Sequence, residues 1–185
     1  MKLVIRSYKA GDASSASCIY AHYVLNSTAS FETVPPDAKT LNARLESHLS
    51  AGFPVLVAEV GGRLVGYAYA SAYRPRKAYQ WTIENSVYVA DEAVGQGVGR
   101  ALMSALIADA KAAGYHQMLA VITADHGDAI DNASMAFHRS MGFEQTGRLL
   151  KIGYKHDRWL DTVMMQLCLN TECAPIEPLA TPPRP

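Results

Sequence analysis

A carboxylate in an apolar stretch is the first group in this sequence that could move a proton. Glu84 lies in WTIENSVYV, residues 81–89, and burial among such neighbours would raise the pKa of its carboxyl. A carboxylate with a raised pKa is suited to accept a proton from an ammonium group at neutral pH. Strand alternation puts Glu84 on one face with Ser86 and Tyr88, a pattern that fits a general base and a solvent-facing strand residue alike.

An imidazole follows in NASMAFHRSMGF, residues 132–143. His138 titrates near neutrality, so it could protonate a departing thiolate or help to deprotonate an amine. A lone histidine on a helix is also often structural, and the residue type does not decide between the two roles. Asn132 opens the same segment, where its side chain can cap a helix and bind a ligand as well.

Two guanidinium groups stand close together at Arg74 and Arg76, on either side of Pro75. Arginine donates to a carboxylate in a bidentate fork, so this pair could bind the carboxylate of an amino acid. A solvated basic loop is the alternative that the same residues allow.

A glycine-rich loop, VGQGVGRALM at residues 94–103, could bind a phosphate group. It lacks the GKS or GKT of a P-loop, and its GxGxG spacing differs from the GxGxxG of a dinucleotide site. Gly95, Gly97 and Gly99 would still let successive backbone N–H groups converge at a helix N-terminus, where a pyrophosphate is favoured. The alternative is a tight strand-to-helix turn with close packing.

The hydrophobic pattern predicts the elements that carry these groups. The predicted strands span residues 2–8, 54–60, 64–74, 79–90, 117–123, 143–155 and 158–169. The predicted helices span residues 12–25, capped by Asp12, then 38–52, 98–113 and 131–142. Strands in tandem followed by alternating strands and helices indicate an α/β or α+β fold, a mixed sheet with helices on both faces.

Composition limits the partners. The 185 residues carry 17 basic and 17 acidic side chains, so no overall field attracts nucleic acid or an anionic membrane. We expect no signal peptide, and no apolar run is long enough to span a bilayer. Cys18, Cys168 and Cys173 are odd in number and lack zinc-site spacing, which favours reduced thiols in a cytoplasmic protein. We expect one domain over residues 1–170 and a proline-rich tail, disordered or draped on the surface, over 171–185.

Several motifs in a fixed order indicate a family. GQGVGRALMSALIADAKAAG followed by AVIT and NASMAFHRSMGF resembles the GNAT superfamily of acyl-CoA N-acyltransferases. SFE, RPRKAY, WTIENSVYV, NAS, HRSMGF and GYKHDRWLD extend the likeness over residues 3–169. Together they resemble the phosphinothricin and methionine sulfone or sulfoximine acetyltransferases.

This resemblance implies a GNAT fold, a mixed sheet of about seven strands, splayed in the middle, with about four helices on its two faces. It implies acetyl-CoA as cosubstrate, no metal, Glu84 as general base and His138 as proton donor to the thiolate. The Val89 N–H would polarise the thioester carbonyl as an oxyanion donor. The residues implied for coenzyme A are Val87, Tyr88 and Val89 along the pantetheine arm with Asn132, and the amides of Gly95, Gln96, Gly97, Val98, Gly99 and Arg100 around the pyrophosphate.

The same resemblance implies a small amino-acid-like acceptor, such as methionine sulfone, methionine sulfoximine or phosphinothricin, and a homodimer. Phe31 and Glu32 would lie near this acceptor, and Arg74 and Arg76 would bind its carboxylate. Two other functions stay open, a protein or peptide N-acetyltransferase and a non-catalytic acyl-CoA-binding module. The family hallmark GYKHDRWLD contains Tyr154, Lys155, Trp159 and Asp161, whose individual roles the sequence does not assign.

Two departures from the family pattern bear on the site. Val94 stands where the superfamily motif has Arg or Gln, which removes a side-chain contact but no backbone N–H group. The stretch ADHGDAID, residues 124–131, is longer than we expect for the family. Its Asp125, His126, Asp128 and Asp131 lack a metal-ligand spacing, so we expect a polar surface loop without metal.

Overall fold

The computed structural model describes residues 2–127 and 132–170 of the chain. The strands are β1 (Leu3–Ser7), β2 (Val55–Val60), β3 (Arg63–Ala72), β4 (Thr82–Val89), β5 (Gln117–Asp125), β6 (Glu144–Lys155) and β7 (Arg158–Cys168). The helices are α1 (Ala13–Asn26), α2 (Ala38–Ser50), α3 (Val98–Ala112) and α4 (Ala133–Ser140). The predicted proline-rich tail, 171–185, lies outside the described residues.

The strands form a seven-stranded sheet in the order β1-β2-β3-β4-β5-β7-β6. Of the strand pairs in the described part of the chain, only β4–β5 is parallel, and it joins two antiparallel halves of the sheet. Helices cover both faces, so the predicted mixed sheet of seven strands with four helices on its two faces is confirmed. None of the helices among the described residues is long and apolar enough to cross a membrane.

Two hydrophobic cores hold the layers together, one on each face of the sheet. On one face, α1 and α2 bury residues such as Val24 and Leu45 against Val57 and Tyr67. On the other face, α3 lies across β2, β3 and β4, and its large, fully buried side chains are Leu102, Met103 and Leu106. Burial of each such side chain contributes about 1.5–3 kcal/mol, which fixes α3 and the loop before it against the sheet.

The middle of the sheet opens because β4 and β5 stay paired for only a short distance. Residues 82–84 of β4 pair with residues 117–119 of β5, and both strands then continue without pairing to each other. On its other side, β5 remains paired with β7 along its full length, from Gln117 to Asp125. The two strands therefore diverge beyond Glu84 and leave a wedge between the halves of the sheet.

The helix ends agree with the predicted positions, with one difference in how α1 begins. Asp37 and Asn132 cap α2 and α4 by accepting from the backbone N–H groups of Thr40 and Met135. Asp12 precedes α1 as predicted, yet its side chain makes no capping bond. Its carboxylate instead accepts from Arg6 and from the Lys9 amide, because a charged guanidinium is the stronger partner.

Candidate functional site

A cleft of about 600 Å³ occupies the wedge between β4 and β5. Its walls are residues 85–89 of β4, residues 120–123 of β5, the glycine-rich loop and the start of α4. Residues 27–29, which follow α1, close one end. The fold therefore brings together three segments that the sequence singled out separately, namely WTIENSVYV, VGQGVGRALM and NASMAFHRSMGF.

The glycine-rich loop has the conformation that a phosphate site needs. Gly95 and Gly97 have φ values of +79° and +82°, which strain any residue with a Cβ atom. The first intrahelical bond of α3 runs from the Ala101 N–H to the Gly97 carbonyl. The N–H groups of residues 98–100 precede that bond and are directed out of the helix N-terminus, where the helix dipole favours an anion.

One residue of this loop, Gln96, differs from the expectation that every amide from 95 to 100 faces a ligand. The Gln96 N–H donates to the Ala93 carbonyl at 3.3 Å, and its side chain donates to the Glu92 carbonyl at 2.7 Å. Gln96 therefore shapes the turn instead of offering its amide. Arg100 lines the cleft and reaches across to α4, where its guanidinium donates to Ser140 Oγ at 3.0 Å.

The backbone of β4 offers hydrogen bonds to the cleft at alternate residues. The Ala90 N–H donates to the Val65 carbonyl of β3, so alternation turns the backbone groups of Val87 and Val89 away from β3. The Val89 groups already contact Tyr23 of α1, whose hydroxyl donates to the Val89 carbonyl at 2.7 Å and accepts from the Val89 N–H at 3.4 Å. A thioester carbonyl at the Val89 N–H would thus meet the Tyr23 hydroxyl as well.

Glu84 lies at the point where β4 and β5 separate, on the face covered by α1 and α2. It is the last residue of β4 paired with β5, and Tyr88 on its face packs against Tyr20 and Tyr23. Burial raises the pKa of the half-buried Glu84 carboxyl above its ordinary value of 4.5. The environment that the sequence suggested for a general base is therefore present.

His138 lies on the opposite face of β4, within hydrogen-bond distance of Asn85. Its Nε2 is 3.1 Å from Asn85 Oδ1, and its Nδ1 is 2.8 Å from the Ser134 carbonyl. Asn85 Nδ2 donates to the Leu119 carbonyl at 2.8 Å, which leaves Oδ1 as an acceptor for the imidazole. A neutral ring can donate to only one of these two oxygens, whereas an imidazolium donates to both.

Burial disfavours the positively charged imidazolium form of His138. His138 is only 4% exposed, and burial lowers its pKa more than the bond to the Ser134 carbonyl raises it. Both ring nitrogens face protein oxygens in this arrangement, and His138 is among the residues that line the cleft.

Asn132 links α4 to the cleft wall in addition to capping the helix. Its Oδ1 accepts from the Met135 N–H at 3.0 Å, and its Nδ2 donates to the Thr123 carbonyl of β5 at 2.6 Å. The capping role inferred from the sequence is confirmed, and the residue also lines the cleft.

The residues implied for the acceptor lie in two segments, after α1 and after β3. Phe31 is 44% exposed, and Glu32 forms an ion pair of 2.5 Å with Arg44 of α2. Arg74 and Arg76 are exposed in the turn between β3 and β4. That turn lies at the end of the sheet where Ser71 of β3 pairs with Glu84.

The long polar stretch at residues 124–131 is described only in part, and Asp128 and Asp131 lie outside the described residues. Asp125 lies 3.1 Å from Arg158 Nε, and His126 Nδ1 lies 2.9 Å from the buried Asp161. Among residues 2–127 and 132–170, no group of three or more His, Cys, Asp and Glu side chains is arranged to hold a metal ion.

Comparison with known proteins agrees with this geometry. The acetyltransferase (GNAT) domain family matches residues 5–164. The chain is 48% identical over 166 residues to a phosphinothricin N-acetyltransferase from Alcaligenes faecalis, covering 90% of this chain and 82% of that one. It is 38% identical over 177 residues to an L-methionine sulfoximine/L-methionine sulfone acetyltransferase from Pseudomonas aeruginosa, covering 95% of this chain and all of that one.

Solved structures give the same result. A GNAT superfamily phosphinothricin acetyltransferase from Sinorhizobium meliloti, in complex with acetyl-CoA, has a TM-score of 0.89 and 39% identity, covering 97% of this chain and 96% of that one. A ribosomal-protein-alanine N-acetyltransferase from Brucella melitensis has a TM-score of 0.83 and 39% identity, covering 89% of this chain and 99% of that one.

A splayed mixed sheet with a glycine-rich helix N-terminus at the opening defines an acetyltransferase that uses acetyl-CoA as cosubstrate. The chain belongs to the GNAT acetyltransferase family, and phosphinothricin and methionine sulfoximine acetyltransferases are among its relatives.

Proposed function

We propose that this enzyme transfers the acetyl group of acetyl-CoA to the α-amine of a small amino-acid-like acceptor. The acceptor class is that of phosphinothricin, methionine sulfone and methionine sulfoximine, which the names of its relatives specify. The observation that carries the proposal is that the half-buried Glu84 is the last residue of β4 paired with β5, directly before the β4 residues that line the cleft, and that the glycine-rich loop lines the same cleft.

In this proposal the pyrophosphate of acetyl-CoA lies on the amides of the glycine-rich loop, and the pantetheine arm runs along Val87–Val89 as an added strand. Asn132 lines the same channel. The chain offers backbone N–H groups for both contacts, so Val94 in place of a polar side chain does not remove the site.

Glu84 removes a proton from the ammonium group of the acceptor, and the free amine attacks the thioester carbon in a ternary complex. The Val89 N–H, whose contact with the Tyr23 hydroxyl is long at 3.4 Å, turns to the oxyanion that forms and stabilises it, while the Tyr23 hydroxyl holds the Val89 carbonyl. The C–N bond forms first, and the tetrahedral intermediate then collapses with cleavage of the C–S bond; His138 accepts the proton that the new amide nitrogen loses and passes it to the departing thiolate. Because Glu84 and His138 lie on opposite faces of β4, the base and the acid approach the thioester from two sides.

Arg74 and Arg76 bind the acceptor carboxylate, and Phe31 and Glu32 form the wall on the other side of the acceptor. The paired guanidinium groups favour a free amino acid, whose carboxylate they can bind in a bidentate fork. The equal numbers of basic and acidic side chains, 17 of each, support a small-molecule acceptor over nucleic acid.

We also propose a homodimer that forms through the exposed apolar surface of β6 and β7. Five large hydrophobic side chains of these two strands are at least half exposed: Leu149, Leu150, Ile152, Tyr154 and Trp159. An apolar patch of this kind marks a protein contact more often than a free surface. Leu150→Glu should convert a dimer into a monomer in light-scattering measurements, and a wild-type monomer would contradict the proposal.

The free thiols of Cys18 and Cys168 support a reducing, cytoplasmic location.

A panel of acceptors tests the proposed function. Release of free CoA, followed with a thiol reagent, should be fast with phosphinothricin, methionine sulfone or methionine sulfoximine and negligible without an acceptor. The structural likeness to a ribosomal-protein-alanine acetyltransferase makes an alanine-initiated peptide the appropriate competitor. Preference for the peptide would favour a peptide acetyltransferase, and acetyl-CoA binding without transfer to any amine would favour a non-catalytic module.

A further inference from the structure

The turn between β6 and β7 lies against the segment that follows α1, residues 27–32, which we call the 27–32 loop. Lys155 Nζ donates to the Ser30 carbonyl at 2.7 Å, and His156 Nε2 lies 3.2 Å from the Ser27 carbonyl. These contacts join residues more than a hundred positions apart in the sequence. They bring part of the family hallmark GYKHDRWLD, which has no other role in the site, to one wall of the cleft.

Phe31 makes the closest contact between the two segments. A Cβ atom at Gly153 would lie only 2.7 Å from Phe31 Cζ, so the aromatic ring packs directly on the glycine backbone. Gly153, Lys155 and His156 thus contact the 27–32 loop in reverse order of its residues, which means that the two segments run antiparallel.

Lys155 is held at an energetic cost that a purely surface lysine would not carry. It is 6% exposed, and burial lowers the pKa of its ammonium group below the ordinary value. The adjoining turn has two central residues, His156 and Asp157, and their φ values of +50° and +57° are those that a two-residue hairpin turn requires. The buried ammonium group and this tight turn together restrict where the side chains of Lys155 and His156 lie.

The 27–32 loop lies on the same face as Glu84. Burial raises the pKa of Tyr69, and the charges of Glu84 and Glu32 add to that rise, which places both carboxylates near this ring. Ser30 is fixed from the other side by the Tyr20 hydroxyl at 2.8 Å. The loop therefore borders the space in which an amine would approach Glu84.

We propose that Lys155 and Gly153 are positioning residues that hold Ser30 and Phe31 in place, and that this contact restricts the acceptor to small free amino acids. The proposal rests on the function proposed above. Lys155 acts through the Ser30 carbonyl, and Gly153 acts by leaving room for the Phe31 ring. Release of either contact would let Phe31 move outward and widen the acceptor space towards larger amines such as a methionyl dipeptide.

Two variants and one control test this proposal. Gly153→Ala should displace the Phe31 ring, and Lys155→Met should remove the bond to Ser30. Each should raise the KM for methionine sulfone and reduce its advantage in kcat/KM over a methionyl dipeptide about fivefold, while the KM for acetyl-CoA stays unchanged. Gly147→Ala, also on β6 but with open space at its Cβ position, should leave these values at the wild-type level.

Hydrogen exchange gives a second measurement that does not depend on turnover. The amides of Ala29 and Glu32 donate to Ser27 Oγ and Ser30 Oγ, so their exchange reports whether the loop is held. Lys155→Met should accelerate this exchange on the order of tenfold and leave α3 unchanged.

Unchanged exchange in the loop would overturn the proposal, and so would faster exchange with unchanged acceptor selectivity. A wild-type enzyme that acetylates no small amine would instead contradict the proposed function, and loop exchange would still show whether Lys155 holds Ser30.

Discussion

Gly97→Ala tests whether the glycine-rich loop is built for an anion. Gly97 is the residue before α3, with φ +82° and ψ −1°, in the left-handed region. A Cβ atom there meets no other atom within 4 Å, so the change introduces backbone strain without a steric clash. The left-handed conformation costs an L-residue about 1–2 kcal/mol.

That strain must appear in stability or in ligand affinity. If the variant keeps the loop in place, the Tm should fall by about 2–8 °C, since about 1 kcal/mol corresponds to about 2–4 °C at this chain length. If the loop relaxes, acetyl-CoA should bind about 5- to 30-fold more weakly. Thermal unfolding and calorimetric titration on one sample measure both, with Gly147→Ala as control. A variant that matches wild type in both measurements would refute the assigned role of Gly97.

Three further predictions concern other parts of the molecule. Glu84→Gln should lower kcat about 100- to 10,000-fold without changing the KM for acetyl-CoA. In wild type, kcat/KM should fall as pH drops through the raised pKa of Glu84, and the variant should lose this pH dependence. A variant that keeps wild-type activity would exclude Glu84 as the general base. Arg74→Ala should raise the acceptor KM about tenfold while Lys77→Ala does not, and equal effects would make Arg74 an ordinary surface residue. Asp161→Asn should lower the free energy of unfolding by about 3 kcal/mol, because the amide leaves Arg148 Nε facing another donor. Urea unfolding at pH 7 measures this change, and a decrease below about 1 kcal/mol would contradict the prediction.

The pH dependence of the Asp161 effect has a definite sign. Burial of Asp161 raises its pKa, but bonds from the Lys151 amide, His126 and Arg148 outweigh burial and hold it at about 2, below the ordinary 3.8. A lowered folded-state pKa gives stability that is complete above the unfolded value and lost as pH falls towards the folded value. The contribution of Asp161 should therefore decline between pH 3.8 and about 2.

Local sequence patterns were sufficient for the elements and for the glycine-rich loop. A strand, closely spaced glycines and an amphipathic helix are neighbours in the chain, so their spacing already specifies a turn that ends at a helix N-terminus. The cap at Asn132 could be predicted for the same reason, because a helix cap depends on the residues that follow it directly. The splay came from resemblance, and the full order of the strands was not predicted, since no periodicity encodes which strands pair.

Contacts between distant segments could not be predicted in this way. Tyr23 meets the Val89 backbone across 66 positions, and Lys155 meets Ser30 across 125. An exposed-looking tyrosine on a helix and a lysine in a turn carry no local sign of such partners. Alternation placed Glu84 with Ser86 and Tyr88, but only the packing of α1 shows which face of the sheet they occupy.

The product formed from acetyl-CoA and methionine sulfone tests the central claim most directly. Mass spectrometry with fragmentation should show one acetyl group on the α-amine, formed in equal amount with free CoA, and Glu84→Gln should nearly abolish it. Absence of acetylated product with methionine sulfone, methionine sulfoximine and phosphinothricin alike would contradict the claim that this cleft acetylates small amino acids.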